Sequence, residues 1–232
     1  MKIGLFSDSH YSSALLTCGV RYNSLSLDKI RNGYEEFSRC GCDLVICLGD
    51  LTDSEEDHLE ETRRLGEIAD IMSAFPFPTL CLMGNHDAFT FTEEEFYSVL
   101  GEDKRPRRID TEDKVLMFID GCYFSCGKRY SPGDKNWRDT YFPFRDRLEK
   151  ELTEADKEVI LFSHQNIDLS APSDHRMSNA EELNGIIAAS GKVSAVYQGH
   201  YHKGLRSRSS GIDFITLPAV CENENAFFVI EI

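Results

Sequence analysis

The stretch Leu44-Val45-Ile46-Cys47-Leu48-Gly49-Asp50-Leu51-Thr52-Asp53 carries the first reading of the fold. Five apolar residues in a row, too few for a helix and without polar alternation, describe a strand covered on both faces. A glycine ends the run and a carboxylate follows at once. The same arrangement recurs along the chain. Lys2–Phe6 precedes Asp8-Ser9-His10, Thr79–Met83 precedes Gly84-Asn85-His86-Asp87, Val159–Phe162 precedes His164, and Val193–Tyr197 precedes Gly199-His200-Tyr201-His202.

Helical patterns separate these runs. Leu27, Ile30, Tyr34 and Phe37 repeat at helical spacing, and Leu65, Ile68, Met72 and Phe75 do so again before Pro76 and Pro78. Thr92-Glu93-Glu94-Glu95 and Ser178-Asn179-Ala180-Glu181 fit capping boxes and predict helix starts. Strand alternating with helix indicates an α/β fold. Towards the end, Gly204–Arg208, Ile212–Leu217 and Ala226–Ile230 have no helix between them and are expected to be consecutive antiparallel strands, turned at Ser210-Gly211 and around Glu222–Asn225. A sheet-on-sheet core with helices outside both sheets accommodates both halves. Phe89 to Glu158 is the least regular stretch, and long irregular segments in compact domains are often binding loops.

With 232 residues and 41% hydrophobic content, the chain fits one domain spanning residues 1–232. Its formal charge of −15 argues against a stable nucleic-acid complex, which rests on basic residues neutralising phosphates. Part of that charge sits at Asp8 and Asp50, where cations would offset it; the Ser54–Glu61 run is expected to be solvated surface. No apolar stretch approaches the roughly 18 residues of a membrane span. The short run Met1–Phe6 does not resemble a signal peptide, so the eight cysteines are expected to be reduced and the chain cytoplasmic. Cys40/Cys42 and Cys122/Cys126 lack matched partners and are weak zinc signals.

Taken singly, each block has an ordinary reading: a turn, a helix cap, a core histidine. Taken together they differ, because five of the seven histidines fall within them. Strand ends in α/β sheets converge on one crevice. Asp8, His10, Asp50, Asn85, His164, His200 and His202 would meet there as hard-oxygen and imidazole donors. Such a set suits two divalent metals sharing one carboxylate, a device for attacking phosphorus with an activated water.

The order of blocks resembles the calcineurin-like metallophosphoesterases, whose pattern is DxH, GDxxD, GNH(D/E), H, GHxH. The resemblance runs from Lys2 to Ile232 with all five blocks intact. It implies a four-layer α/β/β/α sandwich of two packed mixed sheets flanked by helices. It further implies that Asp8, His10 and His202 bind a first metal, Asn85, His164 and His200 a second, and that Asp50 bridges both. Manganese, iron and zinc all accept such ligands. His86 resembles the family's non-ligand histidine, placed to protonate the leaving oxygen or stabilise charge there. Asp53 resembles the carboxylate that orients that imidazole and raises its pKa; its alternative is a helix N-cap before Ser54-Glu55-Glu56.

Serine/threonine protein phosphatases usually carry Arg-Gly after the second aspartate of GDxxD, where this chain has Ser54-Glu55. The regions Arg21-Tyr22-Asn23 through Leu27, the Asn179-Ala180 helix before Val193, and Gly199–Gly204 followed by Gly211-Ile212-Asp213-Phe214 look similar to another branch. That branch comprises cyclic-nucleotide phosphodiesterase-like enzymes and manganese-dependent ADP-ribose and CDP-alcohol diphosphatases. It implies hydrolysis of a small nucleotide-like diester or diphosphate. The alternatives are a phosphomonoesterase, a nuclease, or a protein-binding scaffold of the same fold. The segment at about 89–158 is the candidate substrate-recognition region: Trp137, Tyr130 and Tyr141 as stacking rings, Arg129 and Arg138, with Arg176 beyond it, as phosphate or ribose contacts. Ordinary loop packing is the alternative for each.

Overall fold

The computed structural model describes residues 1–54 and 57–232. Glu55 and Glu56, part of the acidic run, lie outside the described residues. In the first sheet β1 (Lys2–Phe6), β2 (Leu44–Cys47) and β3 (Thr79–Cys81) run parallel. They are linked by α1 (Ser26–Cys40) and α2 (His58–Ser73), and α3 (Asn85–Thr90) and α4 (Glu93–Leu100) follow. The second sheet contains β4 (Ile109–Asp110), β5 (Lys114–Ile119), β6 (Glu158–Ser163), β7 (Val193–Gln198), β8 (Lys203–Ser209) and β9 (Ile212–Pro218), in the order β4-β5-β6-β7-β9-β8. Its inner strands β5, β6, β7 and β9 are parallel and its edges β4 and β8 antiparallel. Helices α5 (Arg145–Glu154) and α6 (Ala180–Ser190) complete this half.

Side-chain alternation builds the layers. Ile3, Leu5, Leu44, Ile46 and Leu48 meet Leu116, Ile160 and Phe162 between the sheets. The opposite faces supply Phe6, Val45 and Cys47 to a core shared with Ile30, Phe37, Leu65 and Ile68 of α1 and α2. Val115, Met117, Val159 and Leu161 pack on Leu148, Leu152, Leu183 and Ile187 of α5 and α6. Strands β1, β2, β5 and β6 are thus apolar on both sides, which is why their sequences lack polar alternation. The layers run α/β/β/α, as the resemblance implied.

Three details differ from the sequence expectations. The 89–158 stretch holds β5 and α5 as well as loops. The last strand, β10 (Phe228–Glu231), does not continue the β8–β9 meander; it crosses to the first sheet and pairs antiparallel with β1. Its alternating half-buried and exposed residues suit an edge. At α4 the Thr92/Glu95 capping box forms, with bonds of 3.2 and 2.8 Å. At α6 the expected box does not. The Ser178 hydroxyl donates instead to the Thr140 carbonyl, and the Asn179 amide is engaged by both backbone groups of Phe142. Those bonds tie the helix start to the preceding loop.

Candidate metal centre

The loops leaving β1 and β2 run side by side. The Asp8, His10 and Tyr11 N–H groups donate to Gly49, Asp50 and Leu51 carbonyls at 2.9, 3.0 and 2.9 Å. This ladder beyond the strands brings the first two blocks together. From the side, the Asn23 amide donates to the His10 carbonyl (2.6 Å) and the Ser26 hydroxyl to that of Ser9 (2.5 Å). Glycine lets the third block approach: a Cβ on Gly84 would lie 2.0 Å from Asp50 Oδ1.

Four ligand candidates hold left-handed backbone, Asp8 (φ 58°), His10 (42°), Asp50 (55°) and His200 (66°). Non-glycine residues there are strained by about 1–2 kcal/mol each, and such strain gathers at functional sites. No spacing pattern reveals it. The enrichment of Asp and His in this conformation is the one sequence signal for it.

All seven candidates meet. Asp50 Oδ2 lies 3.6 Å from His10 Nε2 and 3.2 Å from His164 Nε2, while Oδ1 accepts the His86 N–H at 2.8 Å. Asp8 Oδ1 is 3.4 Å from His202 Nε2, and the Asp8 carboxylate accepts the His200 N–H. Asn85 Oδ1 is 3.3 Å from His164 Nε2. The rings of His164 and His200 are 5.1 Å apart. The far nitrogens are fixed: His10 Nδ1 by Asp53 (3.0 Å), His164 Nδ1 by the Leu48 carbonyl (2.9 Å), His202 Nδ1 by Glu222 (2.6 Å). Such partners set tautomer and ring orientation, leaving Nε2 for the centre.

These donors fit metal ions. His10 Nε2 and His202 Nε2 face each other at 3.1 Å, a distance that a shared cation relieves. His200 Nε2 is buried with no hydrogen-bond partner among the described residues. Donor atoms of Asp50, His164 and His200 lie within 4.8 Å of one another, as do those of His10, Asp50 and His86. A third such group, His10, His202 and Cys221, adds a thiol that sequence spacing did not flag.

Electrostatics follow the crowding. Burial alone would raise Asp50, but His164, His86 and His10 hold it well below the usual carboxylate range. Asp8 is held low in the same way by His10 and His202. Burial opposes protonation of His164, yet Asp50, Asp8 and Asp87 outweigh it and push the ring up to about 9. Asp87 was not assigned a role from sequence. Its buried carboxylate accepts the N–H groups of Asp50 (2.8 Å), Gly84 (2.9 Å), Leu51 (3.0 Å) and Thr52 (3.3 Å). It locks the second and third blocks together, while burial and the Asp50 charge push it up to about 7.

A sequence model described as calcineurin-like phosphoesterase matches residues 1–204. The chain belongs to that family. It is a metal-dependent phosphoesterase. No curated protein sequence is matched significantly. Among solved structures, a dimetal phosphatase from Danio rerio is similar, with TM-score 0.85, 20% identity, and coverage of 98% of this chain and 91% of that one. The phosphopantetheinyl hydrolase PptH of Mycobacterium tuberculosis has TM-score 0.54 and 12% identity, covering 95% and 90%. GAP50, the anchor in the inner membrane complex of Plasmodium, has TM-score 0.62 and 13% identity, covering 97% and 72%. At these identities the likeness shows the fold.

Within this phosphoesterase, Asp53 stands beside His86 but makes its closest bonds elsewhere. Its carboxylate bonds His10 and the Arg21 guanidinium (3.1 Å) and stands 3.6 Å from His86 Nδ1. That nitrogen is held by the Ser54 hydroxyl (2.9 Å) and the Asp53 carbonyl (3.0 Å). Burial lowers His86 to about 4, while Asp50 and Asp53 pull it upward, Asp53 in the direction the resemblance implied. Nor is Asp53 a helix cap; Asp57 caps α2.

The candidate substrate residues separate. Trp137 lines the cavity over the centre, its ring 5.6 Å from His200 and 5.1 Å from His175. Arg138 stacks on the Trp137 ring at 4.2 Å. Tyr130 is buried, its hydroxyl on the Asp139 carbonyl and its ring against Phe89 and Phe124, so it is a packing residue. Arg129 pairs with Asp120, lies over Tyr123 and lines a different cavity. Arg176 donates to the Leu169 carbonyl. Among the residues at the centre's cavity to which the sequence assigned no role are Arg21 and His175. Neither falls in a metal block, and a lone arginine or histidine carries no spacing signal.

Proposed function

We propose that this phosphoesterase hydrolyses a small nucleotide-like phosphodiester or diphosphate, with two divalent cations (manganese, iron or zinc) as cofactors. The carrying observation is that seven donors from five separate segments gather under one cavity of about 490 Å³ with Trp137, Arg21 and His175 in its wall. Asp8, His10 and His202 would hold one cation and Asn85, His164 and His200 the other, with Asp50 shared between them. The Asp50 carboxylate, within 3.6 Å of one imidazole from each group, supports that division. When bound, the two cations neutralise phosphoryl oxygens and make water acidic enough to attack at neutral pH.

The chain's own groups do the rest. Asn85 contributes a neutral amide oxygen, which limits negative charge beside an anionic substrate. His86, its Nδ1 held by the Ser54 hydroxyl and the Asp53 carbonyl, keeps Nε2 for the leaving oxygen and gives it a proton from the protonated ring, the minor form near pH 7. Trp137 offers a face for a base. The eight cysteines are free thiols, which supports a reducing, cytoplasmic setting. No helix among the described residues is long and apolar enough to cross a membrane.

A scaffold of the same fold would tolerate loss of ligands, and here all seven stand together. The charge of −15 weighs against a nuclease on long polymers. The test is a substrate panel of cyclic nucleotides, nucleoside diphosphate esters, sugar phosphates and lipid diesters. Nucleotide diesters or diphosphates are expected to exceed a generic nitrophenyl diester in kcat/KM. Trp137→Ala should narrow that gap by roughly the 1–3 kcal/mol of one stacked base. Preference for a sugar or lipid ester, unmoved by Trp137→Ala, overturns the nucleotide reading.

A further inference from the structure

Two cavities, not one, adjoin the metal centre. The first, described above, has Asp50, Asn85, His200 and His202 in its wall. The second, about 620 Å³, has none of the seven ligand candidates in its wall; Phe89, Thr90, Pro132 and Lys135 are among its lining residues. His86 and Trp137 line both, so they form the partition between them. A phosphoric monoester carries a single organic substituent and fills a single chamber. A diester or diphosphate carries two, and a second chamber beside the partition gives the other half a place.

The second chamber's walls and rim define what fits. Phe89, Trp137 and Pro132 present flat apolar surfaces, while Ser54, His58 and Glu95 contribute polar atoms. The loop wall is fixed. Ser131 donates N–H and O–H to Asp134 at 2.8 and 2.9 Å, and the Gly133 N–H donates to the Phe89 carbonyl at 2.9 Å. Glu95 is committed to Thr92 and Asp134 to Ser131. Lys135 is exposed and forms no ion pair among the described residues, so its charge is the one left to meet a ligand. A hydrocarbon matches the walls but not the rim, and a bare sugar the reverse. A planar heteroaromatic matches both.

We propose that this second chamber is a subsite for the second organic substituent of the phosphoric ester, and that it takes a planar heteroaromatic group of nucleobase type between the Phe89 and Trp137 walls, with Lys135 at its edge. This rests on the diester reading above and specifies it.

Trp137 is the only tryptophan of the chain, so its fluorescence reports occupancy without turnover and without metal. Metal-free protein titrated with adenosine should show saturable quenching; ribose should give none. Pro132→Phe, which fills the chamber from an exposed loop, should weaken adenosine binding by at least about fivefold, the low end of what one stacked base contributes. Asn136→Ala, on the same loop but outside the chamber's lining, should quench as the parent does. With metals restored, the parent's kcat/KM ratio for bis(nitrophenyl) over methyl nitrophenyl phosphate should collapse in Pro132→Phe. No adenosine quenching, equal quenching by ribose, or adenosine binding untouched by Pro132→Phe each overturns the proposal. If the nucleotide panel fails while Pro132→Phe still collapses the ratio, the nucleotide reading falls and the second chamber stands.

Discussion

Replacing Asp87 by alanine tests whether the centre is held from beneath. The carboxylate accepts four buried N–H groups, three of them at 3.0 Å or less. A buried donor left without a partner costs about 1–3 kcal/mol, so three strong bonds set an upper range of about 3–9 kcal/mol. Water entering the vacated space can satisfy one or two donors. The expected loss is therefore about 3 kcal/mol. Against the usual domain stability of about 5–15 kcal/mol the variant still folds, with Tm lowered by about 6–12 °C. Two of the released N–H groups belong to Asp50 and Gly84, which set the second and third ligand blocks, so metal affinity must fall too. Urea denaturation and metal titration on the same preparation measure both. A loss under about 1 kcal/mol refutes the bonding argument. Lost stability with unchanged metal affinity shows that Asp87 supports the core and not the ligand turns. Asp87→Asn, keeping one oxygen acceptor, should fall between parent and alanine.

Asp50→Asn should abolish turnover and weaken metal at both positions together, read as metal content per chain; loss confined to one metal removes the bridging role. His86→Ala should retain both metals and lose about 10²–10⁴-fold in rate, less for esters of good leaving groups; an equal loss for nitrophenyl and alkyl esters rules out a proton-donor role. In the metal-free protein His164 titrates near 9, raised above the ordinary histidine value by Asp50, so it is protonated at about pH 7. Metals take only the neutral ring, so loading at about pH 7 should release protons, and that release should fade as pH rises through about 9. A pH indicator in weak buffer checks this, and no release near neutrality contradicts it.

Much of this was legible in the sequence because strand, glycine and ligand are adjacent in the chain. Val45-Ile46-Cys47 announces a buried strand, and the ladder of Asp8, His10 and Tyr11 onto Gly49, Asp50 and Leu51 extends it to the site. What escaped lies in contacts that spacing does not encode. Val115–Ile119 is as apolar as any other strand, but no ligand block follows it, and it sat in a stretch read as loop. The turn to β10 follows a glycine-free segment, and which sheet edge it meets is a matter of tertiary pairing. Asp53 stands where a helix cap or a His86 partner would stand; only the approach of His10 and Arg21 decides its role. Tyr130 read as a stacking ring because its neighbours are polar, yet Phe89 and Phe124 enclose it.

The left-handed backbone at Asp8, His10, Asp50 and His200 has an evolutionary cost. Glycine at His200 relaxes the local conformation and removes a buried imidazole whose Nε2 lacks a hydrogen-bond partner among the described residues. In chelator, that inactive variant should outlast the parent on heating, because the metal-free parent keeps both costs and the variant neither. Selection for heat resistance alone would therefore erode the ligand set first at His200, a position that folding by itself does not favour.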